Sequence, residues 1–327
     1  MILLAVDIGG TNHSVALVGE DGAVLEKERR PTDRAGGRRW MLRQLEATCR
    51  CLIEKAPERP AACGIGFGGP VDFPKQVIQR SMHVGGWSGF RLAHHMAAVL
   101  GLPCVMDNDA NTAALGEYAY GAGRGSRSMA CLTVSTGVGG GLVLNGEMYR
   151  GPRSFAGEFG HTPLVPGGPP CACGSRGCVE SVCSGDALGK AARLEARRRP
   201  RAWSAVLRQA GGLRAIEAKS VFDAARRGHP AARALVLRYC DDFGRGLAGL
   251  IALLDLDCVV LGGGVSMAGN TLFAPLRRAI ARHMPPFLPR AWRCLPAALG
   301  PNYVLCGAAQ LALRYTASAE CGVRSAE

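Results

Sequence analysis

The chain has 327 residues, of which 48% are hydrophobic and 20% are charged. A chain of this length buries a substantial core and is long enough for two domains. The composition excludes a disordered or fibrous protein, and the longest apolar run, residues 247–254, is too short to span a bilayer.

The net charge of +13 comes almost wholly from arginine. Such a balance is compatible with a nucleic acid, a membrane surface or an anionic substrate as partner. The arginines are dispersed apart from residues 193–203, RLEARRRPRAW, and no aromatic residues interleave with them. We therefore interpret 193–203 as a solvated helix end and predict neither a nucleic-acid nor a membrane partner.

The chain begins with MILLAVDIGG, which has no basic segment and soon meets an acid and glycines. This pattern is typical of a first strand and not of a signal peptide, so we predict a cytoplasmic protein. The 14 cysteines are scattered along the chain, mostly within apolar runs. In a reducing compartment they stay thiols and behave as small core residues.

One pattern occurs twice along the chain: a strand, a glycine turn and a second strand. The first copy comprises a strand at 2–6, the turn DIGGTN and a strand at 14–18; the second comprises 129–134, the turn STGVGGG at 135–141, and 142–146. A further strand that ends in glycines follows each copy, at 63–72 and 257–266. Glycine lets backbone N–H groups converge on an anion, so the repeat predicts two related α/β domains that bind a nucleoside triphosphate.

Residues 102–118, LPCVMDNDANTAALGEY, predict a short strand, then Asn108 and Asp109, then a helix that begins near Asn111. Asp109 is either a helix cap or an ionised carboxylate at the positive helix end, able to accept a hydroxyl proton during phosphoryl transfer. Asn108 can donate to and accept from a sugar hydroxyl. Asp7, beside the first glycine turn, is either a turn residue or the partner of Mg²⁺ or its water.

Residues 161–180, HTPLVPGGPPCACGSRGCVE, concentrate thiols in one loop. Cys171, Cys173 and Cys178, with His161 as the fourth ligand, form a set suited to tetrahedral Zn²⁺. Four protein ligands close the site, so this zinc would be structural and would hold a loop that positions Glu158 and Glu180. The alternative is a loop of reduced cysteines without metal.

The sequence GEFGH at 157–161, followed by CACGSRGCVE at 171–180, resembles the signature of the ROK family, which contains bacterial sugar kinases and related repressors. Along the chain, the motifs DIGGT, GGPVD, DNDAN, STGVGGG and LGGGVS also occur in the order found in the family. The resemblance implies an α/β fold with duplicated ribonuclease-H-like lobes of the actin-like ATPase superfamily around a central cleft. We predict an N-terminal lobe over 1–117, completed by a helix at about 301–316, and a C-terminal lobe over 118–300 that carries the zinc-binding loop 161–180.

The same resemblance implies roles for individual residues. Asp109 would be the catalytic base that acts on the 6-hydroxyl of a hexose, and His161 would bind zinc through one ring nitrogen and the sugar through the other. The sugar-binding residues would be Gly69, Asn108, Glu158, His161 and Glu180. The nucleotide-binding residues would be Asp7, Gly9, Gly10, Thr11 and Asn12 in the first phosphate motif, Thr136, Gly137, Gly139 and Gly140 in the second, and Gly262, Gly263 and Gly264 in the adenosine motif.

Several residues depart from the family pattern. Asn12 stands where many bacterial members have lysine, Ser135 replaces a glycine, Asp107 replaces the glutamate of many glucokinases, and Cys183 replaces an alanine. Some of these features are similar to N-acetylmannosamine kinases and others to allose kinases, so the hexose is left open.

The resemblance thus implies an ATP-dependent hexose kinase of the glucokinase type, with N-acetylmannosamine or allose kinase as alternatives. It implies ATP, Mg²⁺ and a structural Zn²⁺ as cofactors, a hexose or N-acetylhexosamine as substrate, and a homodimer. A sugar-responsive repressor of the same family is disfavoured, because the first phosphate motif begins at Asp7 and leaves no room for a preceding DNA-binding domain.

Overall fold

The computed structural model describes residues 1–81 and 84–320. Its strands are β1 (Ile2–Ile8), β2 (Asn12–Gly19), β3 (Val24–Pro31), β4 (Cys63–Phe67), β5 (Val71–Asp72), β6 (Val77–Ile78), β7 (Cys104–Asn108), β8 (Met129–Val134), β9 (Val138–Leu144), β10 (Glu147–Tyr149), β11 (Cys258–Gly262) and β12 (Arg293–Pro296). Its α-helices are α1 (Gly37–Lys55), α2 (Leu92–Leu100), α3 (Asp109–Ala119), α4 (Val179–Cys183), α5 (Gly185–Arg198), α6 (Ser204–Ala210), α7 (Ala218–Arg226), α8 (Pro230–Leu254), α9 (Asn270–His283) and α10 (Tyr303–Glu320).

The described chain divides into two compact units. The first contains the described residues of Met1–Ser126, the segment Gly141–Gly157 and the described chain from Ala298 onward. The second contains Arg127–Gly140 and Glu158–Ala297. The boundary passes through β9, after Gly140.

The two five-stranded sheets have the same topology. The first has the order β3-β2-β1-β4-β7 and the second the order β10-β9-β8-β11-β12. If the five strands of each sheet are numbered along the chain, both sheets have the order 3-2-1-4-5. In the first sheet, β1 to β3 pair antiparallel while β4 pairs parallel with β1 and β7. In the second, β9 and β10 pair antiparallel, and β11 pairs parallel with β8 and β12. The duplication predicted from the glycine turns is therefore confirmed.

The core of the first unit lies on both faces of its sheet. On one face α1 contributes Met41, Leu45 and Leu52, which recur at helical spacing and are fully buried. On the other face α10 packs on β1 and β4 and against α3. This packing requires glycine at Gly64 of β4, where a Cβ would overlap the backbone carbonyl of Ala308.

In the second unit α8 buries a stripe against its neighbours. Phe243, Leu247 and Ile251 recur every fourth residue and are at most 4% exposed. The predicted helix end at 193–203 is confirmed, because α5 ends at Arg198 with Arg197 and Arg198 exposed in its last turn. Among the described helices, none is both long enough and apolar enough to cross a bilayer.

Two boundaries differ from the sequence prediction. Gly139 and Gly140 lie inside β9, which begins at Val138, and not in a turn that lasts to residue 141. The next residue, Gly141, is packed closely, since a Cβ there would lie 2.7 Å from the carbonyl oxygen of Ala110 in α3. Helix α3 begins at Asp109, two residues earlier than predicted.

Candidate active site

Three strands of the first sheet end at one edge. The parallel register pairs Ile8 with Phe67 and Phe67 with Asn108, which are the last residues of β1, β4 and β7. Gly68 N donates to Ile8 O at 2.9 Å, so the backbone stays paired just past the strand ends. The first glycine turn, the GGPVD segment and the Asn108–Asp109 pair all follow these ends. Ligands of α/β proteins bind at such an edge.

Asn108 and Asp109 divide two roles between them. Asn108 caps α3, because its Oδ1 accepts from Ala110 N at 2.9 Å and from Asn111 N at 3.3 Å. Asp109 is the first helical residue, and its Oδ1 accepts from Ala110 N at 2.9 Å. The capping role therefore falls to Asn108, and the Asp109 carboxylate lies at the positive end of the helix, where its ionised form is stabilised.

Asp7 is a second carboxylate in the same neighbourhood. Burial, and to a smaller extent the nearby charge of Asp109, raise the pKa of Asp7 to about 7, although Lys27 and Arg29 oppose the shift. Two neighbouring carboxylates that resist joint ionisation form an oxygen-rich environment suited to a divalent cation such as Mg²⁺.

The first glycine turn is held by the segment that follows β3. Gly9 N donates to Asn12 O at 3.0 Å, closing the turn. Thr32 Oγ1 donates to Gly9 O at 3.0 Å, and Arg34 Nε donates to Gly10 O at 2.7 Å. These contacts engage carbonyl groups of the turn. The sequence prediction missed Thr32 and Arg34, which lie in no motif.

The second unit contains a cavity of about 780 Å³, a volume that suits a nucleoside. Two of the predicted nucleotide-binding residues, Thr136 and Gly264, line it, whereas Gly137, Gly139, Gly140, Gly262 and Gly263 do not. The remaining lining includes three cations and three acids, so the cavity is mixed in charge. These residues are Arg193, Lys219, Arg226, Asp186, Glu217 and Asp223.

Other lining residues come from the turn after β8, from the first turns of α5 and α7 and from the segment after β11. They are Ser135, Gly185, Gly189, Ala218, Phe222, Val265, Met267 and Ala268. The sequence prediction placed Ser135 in the second glycine turn but did not assign the others, of which four lie in helices of ordinary amphipathic pattern that only tertiary packing brings to the glycine turns. Gly185, the first residue of α5, joins this wall to the turn after β8, since its N donates to Ser135 O at 2.7 Å.

Glu180 connects the cysteine loop to the second glycine turn. Its Oε2 accepts from Val138 N at 2.9 Å, and a Cβ at Gly137 would overlap the same carboxylate. Its Oε1 lies 3.8 Å from Cys171 Sγ. Glycine at 137 thus leaves room for the Glu180 carboxylate beside the turn, although Gly137 does not line the cavity.

The four predicted zinc ligands converge. One ligand atom from each of His161, Cys171, Cys173 and Cys178 lies within 4.8 Å of the others. His161 Nδ1 is 3.6 Å from Cys171 Sγ, and Cys173 Sγ is 3.7 Å from Cys178 Sγ. Burial raises the pKa of Cys178 to about 12, whereas a backbone hydrogen bond from Ser175 and neighbouring thiols lower that of Cys173 to about 7. This three-sulfur, one-nitrogen set fits Zn²⁺, whose charge would favour the thiolates.

His161 directs its other ring nitrogen towards Glu158. His161 Nε2 lies 3.9 Å from Glu158 Oε2, within a single 3₁₀ turn over Phe159–His161. Gly160 packs so closely on the carbonyl of Val138 that a Cβ would overlap it. The second unit therefore brings Glu158, His161 and Glu180 to β9, while the first unit carries Asp7, Gly69, Asn108 and Asp109.

Comparison with known proteins identifies the family of the chain. The family model described as ROK family matches residues 3–315. The chain belongs to the ROK family. The predicted family and its actin-like ATPase fold are thereby confirmed.

Similar ROK proteins include kinases of different sugars. A glucokinase of Thermotoga maritima is 35% identical over 309 residues, which cover 94% of this chain and 96% of that protein. An N-acetylmannosamine kinase of Yersinia pestis is 34% identical over 265 residues, covering 81% of this chain and 83% of that protein. The crystal structure of a ROK family glucokinase from Streptomyces griseus in complex with glucose and AMPPNP superimposes with a TM-score of 0.81 at 34% identity, covering 96% of this chain and 100% of that chain.

Proposed function

We propose that this ROK protein is an ATP-dependent hexose kinase that transfers the γ-phosphoryl group to the 6-hydroxyl of glucose or a close relative of glucose. Glucokinase relatives at 34–35% identity over most of the chain support a sugar kinase. The observation that carries the mechanism is the Asp109 carboxylate at the start of α3, beside a capping Asn108.

Asp109 acts as the general base in this proposal. A carboxylate at a helix N-terminus stays ionised near neutral pH and can accept the proton of an attacking hydroxyl. In phosphoryl transfer the protein forms few covalent bonds with the reactants. Most of the catalysis therefore comes from orienting the hydroxyl group and from stabilising the charge on the phosphoryl group. A hydrogen bond from the capping residue Asn108 to the Asp109 carboxylate holds the carboxylate that would accept the proton.

Polar groups are the proposed sugar ligands. Gly69 and Asn108 come from the first unit, and Glu158, His161 and Glu180 from the second. The carboxylates accept hydrogen bonds from hydroxyl groups, and the side-chain amide of Asn108 can donate and accept. The relatives that act on N-acetylmannosamine make that sugar the second candidate.

ATP is the proposed phosphoryl donor. The cavity of the second unit would take the nucleoside, with Thr136 and Gly264 in its wall, and with Gly137, Gly139, Gly140, Gly262 and Gly263 at its turns. The proposed phosphate-binding residues of the first unit are Asp7, Gly9, Gly10, Thr11 and Asn12. Mg²⁺ near Asp7 would neutralise phosphate charge when bound.

The cysteine loop is the proposed structural zinc site. His161, Cys171, Cys173 and Cys178 offer sulfur and nitrogen donors at mutual distances within 4.8 Å, as a tetrahedral ion requires. The metal would fix a loop poor in regular structure and thereby hold Glu180 and His161. It would leave no open position for substrate.

Three further expectations belong to the same proposal. The lobes would comprise 1–117 with 301–316, and 118–300, a division that differs from the compact units, which assign 118–126, 141–157 and 298–300 to the first unit. The protein would be cytoplasmic, and it would form a homodimer. Light scattering on the eluted protein tests the last of these, since the mass of a single chain is 34.3 kDa.

The test is a panel of sugars with ATP and Mg²⁺, ranked by kcat/KM. It contains glucose, N-acetylmannosamine, N-acetylglucosamine, allose, mannose and fructose. We expect glucose to rank first, with the product phosphorylated at the 6-position by phosphorus NMR. A higher kcat/KM for N-acetylmannosamine would select the second candidate, and no ADP formation with any sugar would contradict a hexose kinase.

A further inference from the structure

Asp107 is a buried acid directly before the proposed sugar ligand and base. Its side chain is only 3% exposed. Its Oδ1 accepts from Asn108 N at 2.8 Å and from Asn111 Nδ2 at 2.9 Å. One carboxylate thus ties the backbone that enters α3 to the first turn of that helix.

Arg150 supplies the opposite charge. Its Nε donates to Asp107 Oδ2 at 2.7 Å, and its guanidinium carbon lies 3.5 Å from the centroid of the Phe73 ring. Nη1 also donates to Met148 O at 3.4 Å. Stacking on an aromatic face orients the planar guanidinium, so its direction towards the acid is set before the ion pair forms.

These contacts form a closed ring around the end of β7. Gln76 Oε1 accepts from Met106 N at 2.7 Å, and Gln76 Nε2 donates to Phe73 O at 2.8 Å. Phe73 stacks on Arg150, which binds Asp107, the residue after Met106. The strand end is therefore held from two sides by one short loop and one arginine.

The energetic consequence of losing the arginine falls on the acid. A buried carboxylate without a partner is costly, so Asp107 must take up a proton, admit water or shift. Each response alters the hydrogen bonds that Asp107 Oδ1 makes to Asn108 and Asn111. A displacement of about 1 Å at reacting groups can lower a rate roughly 100-fold.

We propose that Arg150 is a positioning residue for phosphoryl transfer, which acts through Asp107 to hold Asn108 and Asp109 in their productive orientation. The inference rests on the proposed kinase function. Arg150 touches no reacting atom in this proposal. The double variant below separates action through Asp107 from a general contribution to folding.

The experiment compares Arg150→Met, Arg150→Lys, Asp107→Asn and the double variant Arg150→Met/Asp107→Asn with the unmodified chain. Arg314→Met is the control, since Arg314 pairs with Glu147 of β10, which is 83% exposed. We expect Arg150→Met to lower kcat by about 10- to 100-fold and to raise the KM of the sugar while the KM of ATP stays within about twofold. Arg150→Lys should regain part of kcat, and Arg314→Met should leave it unchanged.

The double variant supplies the decisive comparison. If Arg150 acts through Asp107, adding Arg150→Met to Asp107→Asn lowers kcat little further, whereas independent roles multiply the two losses. Multiplied losses, an unchanged kcat in Arg150→Met, or equal rises in both KM values would overturn the inference. If Arg150→Met does not fold, Arg150→Gln takes its place, since it also removes the charge beside Asp107, and unmodified kinetics in a folded Arg150→Gln protein overturn the inference equally. If the unmodified chain phosphorylates sugar and substitution of Arg150 does not change the kinetics, only this inference is rejected. If the unmodified chain shows no turnover, both the kinase proposal and this inference are rejected.

Discussion

The side-chain amide of Asn108 donates to the carboxylate of Asp109, with Nδ2 3.1 Å from Oδ1. The same nitrogen lies 3.1 Å from Gly69 O, and Oδ1 of Asn108 caps α3. One asparagine therefore links the segment after β4, the helix start and the proposed base. This relationship explains why Asp109 need not serve as the cap.

Asp109→Asn should lower kcat by roughly 1,000-fold, since a general base typically contributes that order of rate. Sugar binding should change little, because an amide retains an oxygen that can accept from Asn108 and Ala110. Steady-state kinetics and calorimetric titration with glucose measure the two effects. The control is Asp21→Asn in an exposed turn. A kcat within about tenfold of the unmodified chain would refute the assignment of Asp109.

The metal content tests the cysteine loop. Protein purified without added zinc should contain about one zinc ion per chain, because four ligands close a structural site. Cys173→Ser should lose the metal and lower the midpoint of thermal unfolding. Cys51→Ser is the control, since this half-buried thiol lies outside the cluster. If the purified protein contains no metal and is still stable and active, the zinc site is contradicted and the loop holds reduced cysteines without metal.

Glu117 should contribute strongly to stability. This fully buried carboxylate of α3 accepts from Ala122 N at 2.8 Å, Ala298 N at 3.0 Å and Leu299 N at 2.9 Å. Glu117→Gln replaces one accepting oxygen by a donor that faces N–H groups, so the free energy of unfolding should fall by about 1–3 kcal/mol. Denaturant titration measures the change, and the exposed Glu147→Gln is the control. Equal effects in both variants would contradict this account.

Two glycine-to-alanine substitutions should have opposite signs. At Gly64 the added Cβ would overlap the backbone of Ala308, which cannot move without displacing α10, so Gly64→Ala should destabilise by about 3 kcal/mol or prevent folding. At Gly249, on the exposed side of α8, a Cβ meets nothing within 4 Å. Gly249→Ala should stabilise by about 0.5–1 kcal/mol through helix propensity. Thermal unfolding of both variants checks the pair, and a stable Gly64→Ala protein would disprove the close packing.

The pattern of apolar residues along the sequence predicted strands correctly where burial of a continuous apolar run decides the structure. Residues 129–134 are the strand β8 as predicted, because a continuous apolar run favours a buried strand. The pattern was wrong at Gly139 and Gly140, where glycine is usually a turn signal but here lies in the strand β9, whose next residue, Gly141, packs closely on α3. It also put the start of α3 two residues late, because Asn108 and Asp109 both suit a cap and only the hydrogen bonds distinguish them.

What the sequence by itself determined is the duplicated α/β topology, the family and the four-residue cysteine–histidine cluster. Each of these features can be recognised from short motifs, because the alternation of a strand, the conformations open to glycine and the spacing of metal ligands depend on neighbouring residues. Only the tertiary structure decided that Arg150 pairs with Asp107, that Lys219 and Phe222 line the cavity with Thr136, and that Glu117 binds Ala298 and Leu299. These partners lie 43 or more residues apart in the chain, and long-range contacts arise from packing the whole core, which no local pattern encodes.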